Sequence, residues 1–112
     1  MFRLFAAGSH SQWMEAYYGS ESGKFVETVV FTLGNPLIAK DIMKHTMEAG
    51  LNIPPKVLVQ ATPTGGTRIL YDLPSSTFGP GSVNPELKGL LEGLDNKLEK
   101  MIRRVLSVGT KL

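Results

Sequence analysis

From Leu33 to Pro74 the chain reads as one continuous structural phrase, and that phrase restricts the fold more than any other part of the sequence. Leu33-Gly34-Asn35-Pro36 leads into an amphipathic stretch, Gly50 and a Pro54-Pro55 pair follow, and two β-rich runs flank Thr64-Gly65-Gly66. Asn35 then Pro36 is a helix start. Asn accepts from an exposed backbone N–H, and Pro at the first helical position gives up a donor that has no intrahelical partner. Ile38, Ala39, Ile42, Met43, Thr46 and Met47 share one broad face, with Lys40, Asp41, Lys44 and Glu48 opposite. The spacing predicts a helix over 36–49 that Gly50 stops in the left-handed conformation. Lys56 to Thr62 and Thr67 to Asp72 read as strands joined across Pro63-Thr64-Gly65-Gly66, a hairpin signal.

Upstream, Phe2 to Ala7 sets apolar residues on either side of Arg3 and reads as a short strand. His10 falls in a polar loop beside Trp13, and Gln12 to Tyr18 reads as a single helical turn or an irregular segment. Phe25 to Leu33 is a second strand, with Phe25, Glu27, Val29 and Phe31 on one face and Val26, Thr28, Val30 and Thr32 on the other. Neither face is purely polar, which suits an interior strand or one covered on both sides. Downstream, Asn84-Pro85-Glu86 repeats the helix start. Leu87, Leu91, Leu94, Leu98, Met101, Val105 and Val108 then form a heptad stripe flanked by Leu90, Ile102 and Leu106. The flanking positions favour a long helix lying across a sheet; the alternative is a seam that pairs with a second copy. No internal repeat or long linker divides residues 1–112. The expectation is a single α+β domain of two layers, an antiparallel or mixed sheet of about four strands packed by two helices.

Composition removes several classes of function. None of the 112 residues is cysteine, which excludes disulfides, thiolate metal sites and cysteine nucleophiles. There is no apolar run of about 18 residues to cross a bilayer. The apolar start, Met1 to Ala7, is too short for a full signal peptide, so no membrane partner and a cytoplasmic setting are expected. The net charge is only +2, and the late cations Lys97, Lys100, Arg103, Arg104 and Lys111 have no aromatic residue among them. A nucleic-acid face would interleave stacking rings with such charges, so no nucleic-acid partner is expected and the cations read as complementing a helix C-terminus. His10 and His45 are the only histidines, and no clustered ligand set accompanies either, so neither a metal nor a cofactor is expected. Ser75 and Ser76 lack a Gly-x-Ser-x-Gly elbow, and Gly65-Gly66 is too short to cradle a phosphate.

Leu33-Gly34-Asn35-Pro36 through Met43, then Ala49-Gly50-Leu51-Asn52-Ile53-Pro54, Lys56-Val57-Leu58-Val59 and Tyr71-Asp72-Leu73-Pro74, together resemble the family called domain of unknown function 302. His10, just after the first strand, looks like the match of a histidine the family often carries there. The resemblance covers roughly residues 2 to 106. It implies an α+β fold similar to the half-repeat of the TATA-box-binding protein, often seen as a homodimer, and no inherited catalytic residues. Two departures stand out. The family's usual additional strand and helix ahead of Phe2 are absent here, which would leave an open sheet edge for a partner chain. Gln60, Ala61 and Thr62 stand where the family's first hairpin strand often ends in acidic residues.

Three functional readings follow. The first is a homodimeric module holding an apolar or carbonyl-bearing small molecule between His10-Trp13 and the Gly34-Asn35 loop, with Asp72 near that loop. The second is a cofactor-independent isomerase or cyclase, in which His10 shuttles a proton while Asn35 or Tyr71 polarises an oxygen. The third is a structural subunit that pairs through the seam of the last helix.

Overall fold

The structure, a computed structural model, describes residues 2–19, 25–78 and 84–110. The chain forms two compact units, Met1–Asn35 with Pro54–Tyr71, and Pro36–Ile53 with Asp72–Leu112. The first unit contains strand β1 (Arg3–Ser9), helix α1 (His10–Tyr18), and strands β2 (Thr28–Gly34), β3 (Lys56–Ala61) and β4 (Thr67–Tyr71). Its four strands lie in the order β1-β2-β3-β4, each antiparallel to its neighbour, with β1 and β4 as edges.

Register sorts the side chains onto two faces. Ala7 pairs with Phe31, Phe31 with Val57 and Val57 with Tyr71, while Gly8, Val30, Leu58 and Leu70 form the next row. Because successive side chains alternate, Val29, Phe31, Leu33, Val57, Val59, Ile69 and Tyr71 share one largely apolar face. Thr28, Val30, Thr32, Lys56, Leu58, Gln60, Arg68 and Leu70 share the other. Val57 is buried. The β3–β4 hairpin closes as its sequence demands: Gly65 takes φ +84°, and Thr62 Oγ1 accepts from the Gly66 N–H at 2.8 Å.

At the far end of β2, Gly34 marks a close approach. The β1 register slips between Leu4 and Ala6, so Phe5 is left out of the ladder as a bulge. A Cβ added at Gly34 would lie 2.8 Å from Phe5 Cε2 and 2.6 Å from the Cβ of Pro54. The Leu33 N–H donates to the Pro55 carbonyl at 3.0 Å, which fixes the proline pair against the end of β2.

The second unit holds helix α2 (Pro36–His45), a 3-10 turn at Met47–Leu51, another at Pro74–Thr77, and helix α3 (Pro85–Thr110). Asn84 caps α3 by accepting from the Leu87 N–H at 2.8 Å. Ile42, Ala49, Ile53, Leu87, Leu91, Leu94, Leu98 and Ile102 are buried. Asp95 ties the second 3-10 turn to α3, accepting from the Ser75 N–H at 3.0 Å and from its hydroxyl at 2.5 Å. On α2, a hydrogen bond from Lys40 holds the Asp41 pKa below its ordinary value against an opposing desolvation, with lesser help from the charges around it.

Several expectations need correction. Residues 10–18 form a full helix rather than a loop and a turn, so three α-helices lie among the described residues where two were expected. Strand β2 begins at Thr28 rather than Phe25, because the Thr28 N–H is taken by a serine hydroxyl instead of a neighbouring strand. Helix α2 ends at His45, where Thr46 turns extended (φ −156°, ψ 119°), and Gly50 lies in the following 3-10 turn without positive φ. Burial along α3 follows Leu87, Leu91, Leu94, Leu98 and then Ile102, while Val105 is 55% exposed. That drift from a heptad is the signature of a straight helix with 3.6 residues per turn rather than of a supercoiled seam. The Val108 side chain lies outside the described residues.

Gly34→Ala forces Phe5 or the Pro54 ring to move, and overpacking of this kind costs about 1–3 kcal/mol. A urea titration should show a lower midpoint for Gly34→Ala; a midpoint equal to the parent's would contradict the close approach.

Candidate functional site

The site is built where α1 meets the start of β2. Ser9 ends β1 and caps α1, its hydroxyl accepting from the Gln12 N–H at 3.1 Å. Ser11 is the buried polar residue of the helix, and its hydroxyl accepts from the Thr28 N–H at 3.1 Å while also bonding Ser9 Oγ at 3.1 Å. This pair of bonds docks α1 through chemistry rather than through an apolar stripe. Trp13, Tyr17 and Tyr18 stay exposed, with Tyr18 packed on Phe25 at a ring separation of 5.4 Å.

A cleft of about 280 Å³ opens beside this junction, lined by His10, Met14, Phe25, Val26, Thr28 and Gln60. Met14, Phe25 and Val26 give it apolar walls. Thr28 donates its hydroxyl proton to the Val26 carbonyl at 3.0 Å and accepts from Gln60 Nε2 at 3.3 Å. A primary amide has two N–H donors, so Gln60 keeps one beyond the bond to Thr28. At the rim, Trp13 Nε1 donates to His10 Nδ1 at 2.8 Å. With Nδ1 accepting, the neutral imidazole carries its proton on Nε2 and presents a donor there. Two neutral N–H groups in an apolar cleft suit a carbonyl oxygen.

The residues singled out from sequence do not converge. His10 and Trp13 follow Ser9, which pairs with Val29, whereas Gly34 pairs with Arg3 at the opposite end of the same ladder. At about 3.4 Å per residue the two ends are on the order of 15–20 Å apart. Gly34 is buried beneath Phe5 and Pro54, which accounts for its glycine without a ligand. Asn35 immediately precedes α2. Tyr71 pairs with Val57 and so lies on the sheet face opposite to Thr28 and Gln60. Asp72 is exposed and belongs to the second unit. Ser11, Thr28 and Gln60 were missed as site residues, although Thr28 and Gln60 are polar positions within otherwise apolar strands. A second cleft, of about 330 Å³, lies in the helical unit among Thr46, Glu48, Ala49, Leu51, Asn52, Thr77 and Phe78. Its Thr77 hydroxyl is already donated to the Pro74 carbonyl, and the Glu48 carboxylate disfavours a carbonyl oxygen.

Among the described residues, four antiparallel strands and three α-helices give an α+β fold. Among the described residues no helix is long and apolar enough to cross a membrane, and no group of three or more His, Cys, Asp or Glu could hold a metal ion. The chain belongs to the family described as Domain of unknown function DUF302, whose family model matches residues 1–105. The crystal structure of an uncharacterized conserved protein DUF302 from Bacillus stearothermophilus is similar, with a TM-score of 0.76 and 22% identity, over 92% of this chain and 77% of that one. At such identity the likeness shows the fold alone. No curated protein matches the chain.

Ser11→Ala leaves the Thr28 N–H without its acceptor, a loss of about 1–3 kcal/mol for a part-buried donor. The expected outcome is a lower urea midpoint together with faster amide exchange at Thr28. Exchange at Thr28 that does not change would show that the hydroxyl does not hold this junction.

Proposed function

We propose that the chain is a homodimeric module that binds an apolar, carbonyl-bearing small molecule in the cleft beside α1. The observation that carries this reading is the pairing of two uncharged donors, Gln60 Nε2–H and His10 Nε2–H, with the apolar walls of Met14, Phe25 and Val26. The cleft's volume is near the lower end of small-ligand sites, about 300 Å³. An uncharged ligand is favoured because, among the described residues, no carboxylate or ammonium lines the cleft. The dimer is supported by β1, an edge strand with Leu4 and Phe5 exposed, since open edges attract other chains.

The rival readings have weaker support. A proton shuttle needs a free basic nitrogen, and His10 Nδ1 is held by the Trp13 indole. Asn35 and Tyr71, its intended helpers, do not line the cleft. Pairing through the seam of α3 would use Leu91, Leu94 and Leu98, and these are already buried within one chain.

The naphthyl ketone prodan, whose emission reports its surroundings, provides the test. Wild-type protein should bind it saturably with a blue shift. Gln60→Leu should weaken binding roughly tenfold, the equivalent of one neutral hydrogen bond of about 1–1.5 kcal/mol, and Val26→Asp should abolish it. No saturable binding, or binding indifferent to both substitutions, would contradict the ligand reading. Sedimentation equilibrium at micromolar concentration should give the mass of two chains, and a single-chain mass would contradict the dimer.

A further inference from the structure

We infer that the second cleft, in the helical unit, is a binding site for an organic ammonium ion, a protonated primary amine that carries an apolar arm. The inference goes beyond the reading above, since none of its residues lines the His10–Gln60 cleft.

Two short turns build the site. Thr46 turns extended and ends α2, and the 3-10 turn Met47–Leu51 follows. The Ala49 N–H donates to the Thr46 carbonyl at 3.2 Å, and the Asn52 and Ile53 N–H groups donate to the Ala49 carbonyl at 3.0 and 2.9 Å. Ala49 is buried and anchors this turn. With three residues per turn, positions i and i+3 of a 3-10 helix eclipse. Glu48 and Leu51 therefore share one side, a carboxylate next to an apolar side chain. The other wall is Thr77 and Phe78, at the end of the Pro74–Thr77 turn that Asp95 fastens to α3 through Ser75.

The polar groups of this cleft are acceptors in search of a donor. Thr77 commits its hydroxyl proton to the Pro74 carbonyl at 2.8 Å, so its oxygen has only lone pairs left to offer. The Glu48 carboxylate accepts and never donates. Asn52 adds an amide oxygen, and the Thr46 hydroxyl is not used to cap the turn it precedes. Among the described residues, no Lys, Arg or His lines the cleft. An ammonium group is the complement, with three N–H donors and no acceptor. An anionic ligand would meet Glu48 as a like charge. A divalent metal would want several carboxylates, and among the described lining residues there is a single one.

The apolar part of the site calls for more than a bare cation. Aromatic ring faces attract cations, and Phe78 offers one. Leu51 is 84% exposed, and it stands on the same side of its turn as Glu48. An apolar arm attached to the ammonium would cover it. The volume of about 330 Å³ is enough for such a molecule, since small-ligand sites begin near about 300 Å³.

Nitrogen–proton correlation spectra recorded during titration with phenethylammonium chloride provide the test. At neutral pH the amine is protonated, and phenethyl alcohol and phenylacetate serve as neutral and anionic analogues of the same shape. Phenethylammonium should shift the Ala49 and Asn52 amides saturably, while both analogues bind weaker by roughly tenfold or more, as befits a hydrogen bond to a charged group. Glu48→Gln, an isosteric change at an exposed side chain, should keep the urea midpoint and lose about tenfold or more in affinity. Phe78→Leu should lose about two- to fivefold. A parallel titration with the amide of Nα-acetyl-lysine separates two sources of the same group: tighter binding of phenethylammonium assigns the site to a free amine, and tighter binding of the lysine derivative assigns it to a lysine side chain of a protein. No saturable shift with either cation would overturn the inference. So would equal binding of phenethyl alcohol, unchanged binding by Glu48→Gln, or shifts that avoid the cleft. Each of these outcomes leaves the prodan result at the His10–Gln60 cleft to be judged on its own.

Discussion

Strand β2 is hydrogen-bonded on both sides, to β1 and to β3, and its register decides which side chains can meet. Thr28 lies opposite Gln60, which brings an amide and a hydroxyl onto one face within hydrogen-bond reach. A slip of one residue in either strand would send its member of the pair to the other face and set a valine, Val29 or Val59, in its place. The same register sets Tyr71 on the reverse side and Gly34 at the far end. The cleft is therefore a consequence of strand pairing before it is a consequence of any particular side chain.

Helix α1 adds the second half of the site, and it does so with little apolar burial of its own. A helix of nine residues is marginal in isolation. Its position depends on the Ser9 cap and on the Ser11 hydroxyl, which replaces a strand neighbour as acceptor for the Thr28 N–H. That substitution of side chain for backbone stops the ladder, turns the chain, and aims Met14 and His10 at Gln60's face. The Trp13 indole then fixes the imidazole as a donor. This arrangement is the basis of the proposal that the cleft recognises a ligand by hydrogen bonds rather than by acid–base transfer.

Much of the fold was legible because its signals are local. The hairpin around Gly65, the Asn84 cap and the alternation of β2 and β3 each depend on near neighbours, and each was found where the residues placed it. Helix α1 was missed although Ser9-x-x-Gln12 is a capping-box pattern, because Trp13, Tyr17 and Tyr18 give no apolar stripe facing a core. The end of α2 was misplaced by four residues' worth of favourable composition, which a β-branched Thr46 overrode by turning extended. The candidate site was less legible than the fold. Neighbourhood across a sheet depends on register, and no spacing in the sequence says that Gly34 and His10 occupy opposite ends of one ladder. The glycine of Gly34-Asn35-Pro36 looked like a ligand loop, yet its cause is the ring of Phe5 folded over it from a bulge.

The most direct test of the account is nitrogen NMR of the His10 ring, at a pH where the imidazole is neutral. The structure predicts a proton on Nε2 and a bare Nδ1 bonded to the Trp13 indole N–H, a state lost in Trp13→Phe. A ring protonated on Nδ1, or one indifferent to Trp13→Phe, would contradict the claim that this cleft recognises its ligand through fixed neutral donors.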